Sequence, residues 1–399
     1  MAKGSKVSPD LAIFGAPPRF HEDVHVSCPS SPDRNELMRL IGQVLDTHRY
    51  SNDGPLMLSL ESLLANYLGV RNCVLVSNGT IALQILVRAL GLKGEVILPA
   101  FTFVASANAL LWEGVKPVFC DVKPGFHNLN PEHCRQLITP DTTAILGVHV
   151  WGVPCDIDSL TQIAANHNIP LIFDAAHAFG CGLDNKLIGN FGIAEVFSFH
   201  ATKAFHTGEG GAITTNDDEL AEKLRRIRNF GFVEIDKTAC LGINAKMSEL
   251  HAALGLANFS KWNQNLDQSM LIHNKYCSLL KDLPDLEIIR FEQPHNHHYV
   301  VARLSPDGRL SRDEVLIVLA SERILARRYF YPGCHRLAPY GSTDQNPILP
   351  ETEALADQCL VLPAGSNLSI ENVKIICDTL KLAFDNCEAV RPKLVKNDY

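Results

Sequence analysis

From Asn72 onward, short apolar runs alternate with longer runs of helical apolar spacing, and that order leaves few folds open. "NCVLVS" (72–77), "EVILPA" (95–100), "KPVFCDV" (116–122), "TTAILGVHV" (142–150), "IPLIFDAA" (169–176) and "EVFSFH" (195–200) read as buried strands. "TIALQILVRAL" (80–90), "VASANALLWEG" (104–114) and "DIDSLTQIAANHN" (156–168) read as helices, the second ending at Gly114 and the third capped by Asp156. Parallel strands need a crossover connection, and each crossover helix covers a face of the sheet. The repeated order therefore predicts an α/β fold: a mainly parallel sheet with helices on both sides. Amphipathic helices are expected over 217–231 and 246–266. Beyond residue 265 the texture changes to a strand, "HHYVVARL" (297–304), and helices over 311–322 and 370–387. This predicts a large α/β domain over 1–265 and a smaller α+β domain over 266–399.

Composition narrows the function. Charged residues make up 20% of the 399 and hydrophobic ones 46%, the balance of an ordinary globular protein. A net charge of -8 argues against nucleic-acid and anionic-membrane partners. "MAKGSKVSPD" has no apolar run behind it to make a signal peptide, and no apolar stretch is long enough to span a bilayer. The 12 cysteines form no C-x-x-C pair, so reduced thiols in a cytoplasmic protein are expected rather than a zinc site or disulfide framework.

In parallel sheets ligands bind at the carboxyl ends of the strands. Four features fall there: "SNGT" (77–80), Phe103, Asp174, and Ser198 with Lys203. Each has a plainer reading when taken singly: a capped turn, a core aromatic, a loop cap, a solvated surface lysine. Together they supply an anion cradle at a helix N-terminus, a flat aromatic, a carboxylate and an amine. Pyridoxal phosphate needs that set. A lysine amine forms a Schiff base with the cofactor aldehyde, a carboxylate keeps the pyridine nitrogen protonated, and Ser198, Gly79 and Thr80 can take the phosphate.

"SNGTIALQ", "PAFTFVASANAL", "FDAAHAFG", "SFHATKAFHTGEGGAI" and "GINAKMSELHAALG" follow one another as do the motifs of the DegT/StrS-type sugar aminotransferases, which the chain resembles from about residue 50 to about 340. The resemblance implies a pyridoxal-phosphate-dependent transferase of the aspartate aminotransferase fold (fold type I), with a seven-stranded type of sheet. It assigns Lys203 as the Schiff-base lysine, Asp174 as the pyridinium partner and His177 to the ring hydroxyl. Ser198, Gly79 and Thr80 fall on the phosphate cradle and Phe103 on the ring cover. Asn244 matches an asparagine that reaches the phosphate of the neighbouring subunit, which implies a homodimer with shared active sites. A similar sugar 3-dehydratase branch carries histidine where this chain has Lys203, so transamination is expected.

Within that family, "ILARRYFYPGCHRLAPY" (324–340) resembles the subgroup that forms 4-amino-4,6-dideoxy sugars on a dTDP carrier, as in O-antigen biosynthesis. It proposes Arg327, Arg328, Tyr331 and His335 as contacts for the nucleotide sugar. The expected reaction is ping-pong, from L-glutamate to dTDP-4-keto-6-deoxyglucose. A lyase or dehydratase of the same fold and a non-catalytic cofactor-binding regulator share nearly all these residues. A dinucleotide-dependent dehydrogenase would need a loop that "GEGGAI" (208–213) does not match; that stretch is expected to turn into an antiparallel strand. "HNHH" (295–298) is expected to be a surface loop, not a metal site, because neighbouring side chains on an extended segment point apart.

Overall fold

The computed structural model describes residues 10–27, 29–340 and 347–394. Seven strands form one sheet: β1 Asn72–Val76, β2 Glu95–Pro99, β3 Lys116–Cys120, β4 Thr142–Val148, β5 Leu171–Asp174, β6 Ala194–Ser198 and β7 Gly211–Thr215, in the order β1-β7-β6-β5-β4-β2-β3. All neighbours are parallel except β7, which runs antiparallel to both β1 and β6, as the "GEGGAI" turn predicts. The strands are buried on both sides. Ile97, Ile145 and Phe173 join one core, while Val96, Leu146 and Ile172, each one residue away, join the other. Near-continuous apolar runs are the sequence trace of that two-faced burial.

Helices α1 Pro55–Leu68, α2 Gly79–Leu90, α3 Val104–Trp112, α4 Ile157–His167, α5 Asp218–Arg228 and α6 Glu249–Phe259 pack around the sheet, whereas α7 Trp262–Leu280 joins that core through Trp262 and carries Ile272, Tyr276 and Leu280 into the core of the smaller body. The expected single helix over 246–266 is two. Ser260 Oγ donates to Ala257 O and Lys261 N to Asn258 O, and these tight i→i+3 contacts close α6 before α7 begins.

Residue 265 therefore lies inside α7. The smaller body is an antiparallel sheet of β8 Leu286–Ile288, β9 Val300–Leu304 and β10 Cys359–Leu362, with α8 Arg312–Ser321 and α9 Ile370–Asp385. Its core also takes Leu11, Val24–His25 pairs in parallel with Ile324–Leu325, and Glu322 Oε1 accepts from Ala12 N. The segment from Leu11 to His25 thus packs with the small domain, which corrects its assignment to the large one: Leu11 finds its apolar partners there.

A second correction concerns 295–298. All four residues are buried. Gln293 Oε1 accepts from His295 N, His295 Nδ1 from His297 N, and Asn296 Oδ1 from His298 N. Three side chains in series each bond the amide two residues on, which curls the segment inward against Trp151 and Cys181.

Candidate active site

The carboxyl ends of β1, β6 and β5 meet in a cavity of about 1200 Å³. Gly211 of β7 pairs with both Val76 and Ser198, and a Cβ there would lie 2.6 Å from the Asn78 carbonyl carbon. Glycine at this position lets the N-terminus of α2 settle against Ser198. Gly79 is equally confined: a Cβ on it would be 3.0 Å from Ser198 Cβ. Asn78 caps α2 by accepting from Ile81 N. The Gly79 and Thr80 N–H groups have no acceptor among the described residues, and both residues line the cavity beside Ser198. A helix N-terminus with free amides and a hydroxyl is an anion site.

Asp174 ends β5 and is buried. Its Oδ2 accepts from Ser106 Oγ at 2.7 Å and its Oδ1 from Ala176 N at 3.0 Å. Burial raises its pKa, an effect opposed by those two donors and by Lys203. The Lys203 side-chain amine has no hydrogen-bond or ion-pair partner among the described residues, so no salt bridge joins it to Asp174. Burial pushes the lysine down to about 8, against the pull of the Asp174 charge. His177 Nδ1 accepts from Trp151 N at 3.2 Å, which leaves the ring proton on Nε2. Burial, then the charges of Lys203 and His298, hold His177 well below its ordinary pKa, so it is a neutral donor. Phe103 opens α3 at the cavity wall with 55% of its surface exposed.

A carboxylate facing an unpaired amine beside a free helix N-terminus agrees with the family match. The description of the DegT/DnrJ/EryC1/StrS aminotransferase family fits residues 32–381. The chain belongs to this family. It is therefore a pyridoxal-phosphate-dependent aminotransferase of fold type I. A dTDP-4-amino-4,6-dideoxy-D-glucose transaminase of Shigella dysenteriae is 37% identical over 91% of this chain and 99% of its own. A GDP-perosamine synthase of Vibrio cholerae is 31% identical over 90% and 98%. The crystal structure of DesI with its TDP-sugar product superposes with a TM-score of 0.92 at 40% identity, covering 97% of this chain and all of that one.

The cavity of this aminotransferase fits the cofactor on its own geometry: free amides for a phosphate, an unpaired amine for an aldehyde, and a carboxylate with two donors for a ring nitrogen. The residues proposed for the nucleotide sugar divide. Arg327 is exposed, lines the cavity and has no side-chain partner among the described residues. Arg328 and Tyr331 line an adjoining cavity of about 530 Å³ instead, where Tyr331 lies between the guanidiniums of Arg312 and Arg328, 4.7 Å from each. His335 lines neither: it is fully buried, with Nε2 3.1 Å from Glu353 Oε1. Its expected substrate contact is corrected to a packing role, since the short turn Cys334–Arg336 directs it inward. Asn244 is exposed and does not line the cavity of its own chain.

Sequence reading missed Ser106, Tyr299 and Phe330. Ser106 sits in a helix whose other residues, Asn108 apart, are apolar, and its trace is one hydroxyl that donates to Asp174. Tyr299 and Phe330 flank the His177 ring at 4.6 and 5.9 Å.

Proposed function

We propose that the enzyme transfers the amino group of L-glutamate to a nucleotide-linked 4-keto-6-deoxyhexose, with dTDP-4-keto-6-deoxyglucose as acceptor and dTDP-4-amino-4,6-dideoxyglucose as product. The reading rests on the unpaired Lys203 amine facing Asp174 in a cavity that also contains a free helix N-terminus. The names of the Shigella relative and of DesI support the dTDP carrier; the perosamine synthase is the counterweight that makes carrier choice a test.

Bound pyridoxal phosphate supplies a carbonyl that exchanges for the amino group and a ring that withdraws electrons from the reacting carbon. The residues do the rest. Gly79 N, Thr80 N and Ser198 Oγ would hold the phosphate, Asp174 Oδ would keep a proton on the ring nitrogen, and His177 Nε2–H would be the donor for the ring hydroxyl. Lys203 Nζ, once free, takes the proton from the glutamate α-carbon, and in the second half-reaction it delivers a proton to the sugar carbon that becomes aminated. A pKa brought to about 8 suits it to both directions. Phe103 would cover the ring, and the cavity leaves room for the sugar beside Arg327, whose guanidinium can meet the diphosphate.

We also propose a homodimer in which each copy lends Asn244 to the other's phosphate. Phe230, Phe232, Val233, Ile235 and Leu241 are exposed on the arm leading to Asn244, with Ile235 at 91%. An apolar arm of this kind marks an interaction surface. A cytoplasmic location fits the free thiols, as every described cysteine is unpaired.

Purified enzyme incubated with glutamate and dTDP- or GDP-linked 4-keto-6-deoxysugars tests the reading, with products identified by mass and NMR. Release of 2-oxoglutarate with a 4-amino dTDP-sugar supports it. Sugar turnover without an amino donor, or preference for the GDP carrier, overturns it.

A further inference from the structure

The peptide unit from which Lys203 extends is tied at each of its polar atoms. Lys203 N donates to His200 O at 2.9 Å. The preceding carbonyl, Thr202 O, accepts from Ser27 Oγ at 2.7 Å and from His298 Nε2 at 2.7 Å. A carbonyl oxygen has two lone pairs, so this acceptor is saturated. The donors come from distant chain segments, 175 and 96 residues away.

Both donors are themselves held. Ser27 bridges to Ala364, and Ala364 N donates to Val26 O, so its segment lies on the small domain. His298 is buried; its backbone N–H goes to Asn296 Oδ1, while Asn296 Nδ2 bonds the His177 and Phe179 carbonyls. Because His298 Nε2 faces a carbonyl, the ring proton is on that nitrogen. Burial pushes His298 down to about 4, so the ring stays neutral across ordinary pH and places no charge beside Lys203.

We propose that His298 and Ser27 are positioning residues for Lys203, clamping the Thr202 carbonyl so that the lysine Cα stays fixed while its side chain moves. The inference rests on Lys203 being the cofactor-linked lysine. A lysine that must leave one atom and return to another within each turnover has four rotatable side-chain bonds to control. Displacing a reacting group by an ångström costs up to about 10²-fold in rate. A fixed peptide plane limits the arc of Nζ between Asp174, His177 and His298, the groups that face it. The clamp also links the lysine to the seating of the small domain on the large one.

Holoenzyme variants His298→Leu, His298→Gln and Ser27→Ala test this by three readouts: the pH midpoint of the visible cofactor–lysine absorbance, the single-turnover rate with glutamate, and Tm. His298→Leu should slow the single turnover about tenfold, as for loss of one hydrogen bond, and shift the absorbance midpoint. His298→Gln, which keeps an N–H donor, should restore both. Ser27→Ala/His298→Leu should lose more than the product of the single losses, because only the double variant leaves the carbonyl without a donor. A His298→Leu enzyme with wild-type midpoint and rate, or a Gln variant no better than Leu, overturns the clamp. If His298→Leu does not fold, Ser27→Ala against Ser27→Thr carries the same comparison. Borohydride trapping separates the two levels: a label away from Lys203 defeats the functional reading, whereas a label on Lys203 with unmoved rates defeats only the clamp.

Discussion

Two buried carboxylates on neighbouring strands have opposite surroundings. Glu195 on β6 pairs in register with Phe173, one residue before Asp174 on β5, so the two acids point to opposite faces of the sheet. Glu195 is fully buried and has three donors: Oε1 accepts from Gly189 N and Phe191 N, both at 2.7 Å, and Oε2 from His149 Nε2 at 3.2 Å. Cys155 N donates to His149 Nδ1, which fixes the proton that His149 offers to Glu195. Asp174 has two donors and faces open space. The acid with three donors, none from a cavity, fastens loops to the sheet, while the acid with two donors and an open side is left for a ligand. Partner count, not burial, distinguishes them.

Lys203→Ala cuts deepest on the Asp174 side. Transamination should fall by about 10³-fold or more, and the visible absorbance of the lysine-bound cofactor should vanish, with Tm nearly unchanged. Asp174→Asn should lower kcat by about 10²-fold and leave the apoprotein's denaturant midpoint close to wild type. Glu195→Gln should do the reverse: stability falls by about 3 kcal/mol, because a side-chain NH₂ then meets a donor that the carboxylate accepted, His149 Nε2–H or the two backbone amides, while activity per folded molecule changes little. If chemical denaturation showed the two variants equally destabilised, the contrast would fail.

The lysine's pKa gives a sharper measurement. Burial lowers it, so the reactive neutral amine appears at lower pH than for an exposed lysine. Cofactor reloading of the apoenzyme, followed by stopped-flow absorbance, should rise about tenfold per pH unit below about 8 and level off above it. Ser106→Ala is the mildest test. Losing this donor should raise the Asp174 pKa further and slow turnover several-fold, to about a tenth.

The α/β architecture was legible because each strand is apolar on both faces, and the large-domain motifs lie directly after those strands. What stayed hidden depends on contacts that spacing does not encode. Trp151 aims its amide at His177 from a left-handed conformation (φ 54) that no tryptophan advertises. The His295–His298 curl is built from side chains bonding amides two residues ahead, which in sequence looks like a polar loop. Arg327, Arg328, Tyr331 and His335 are close in sequence, yet a turn at Gly333 (φ 92) sends His335 into the interior while Arg327 faces the cavity.

Leu11 and Ala12 find their partners in the small domain, with Ala12 bonded to a glutamate 310 residues further along. During synthesis on the ribosome, this leading segment must wait exposed until α8 has emerged, even after the large sheet has formed. The small domain is therefore completed late. A bulky fusion placed just ahead of Leu11 should hinder maturation of the nascent chain more than one attached beyond residue 394.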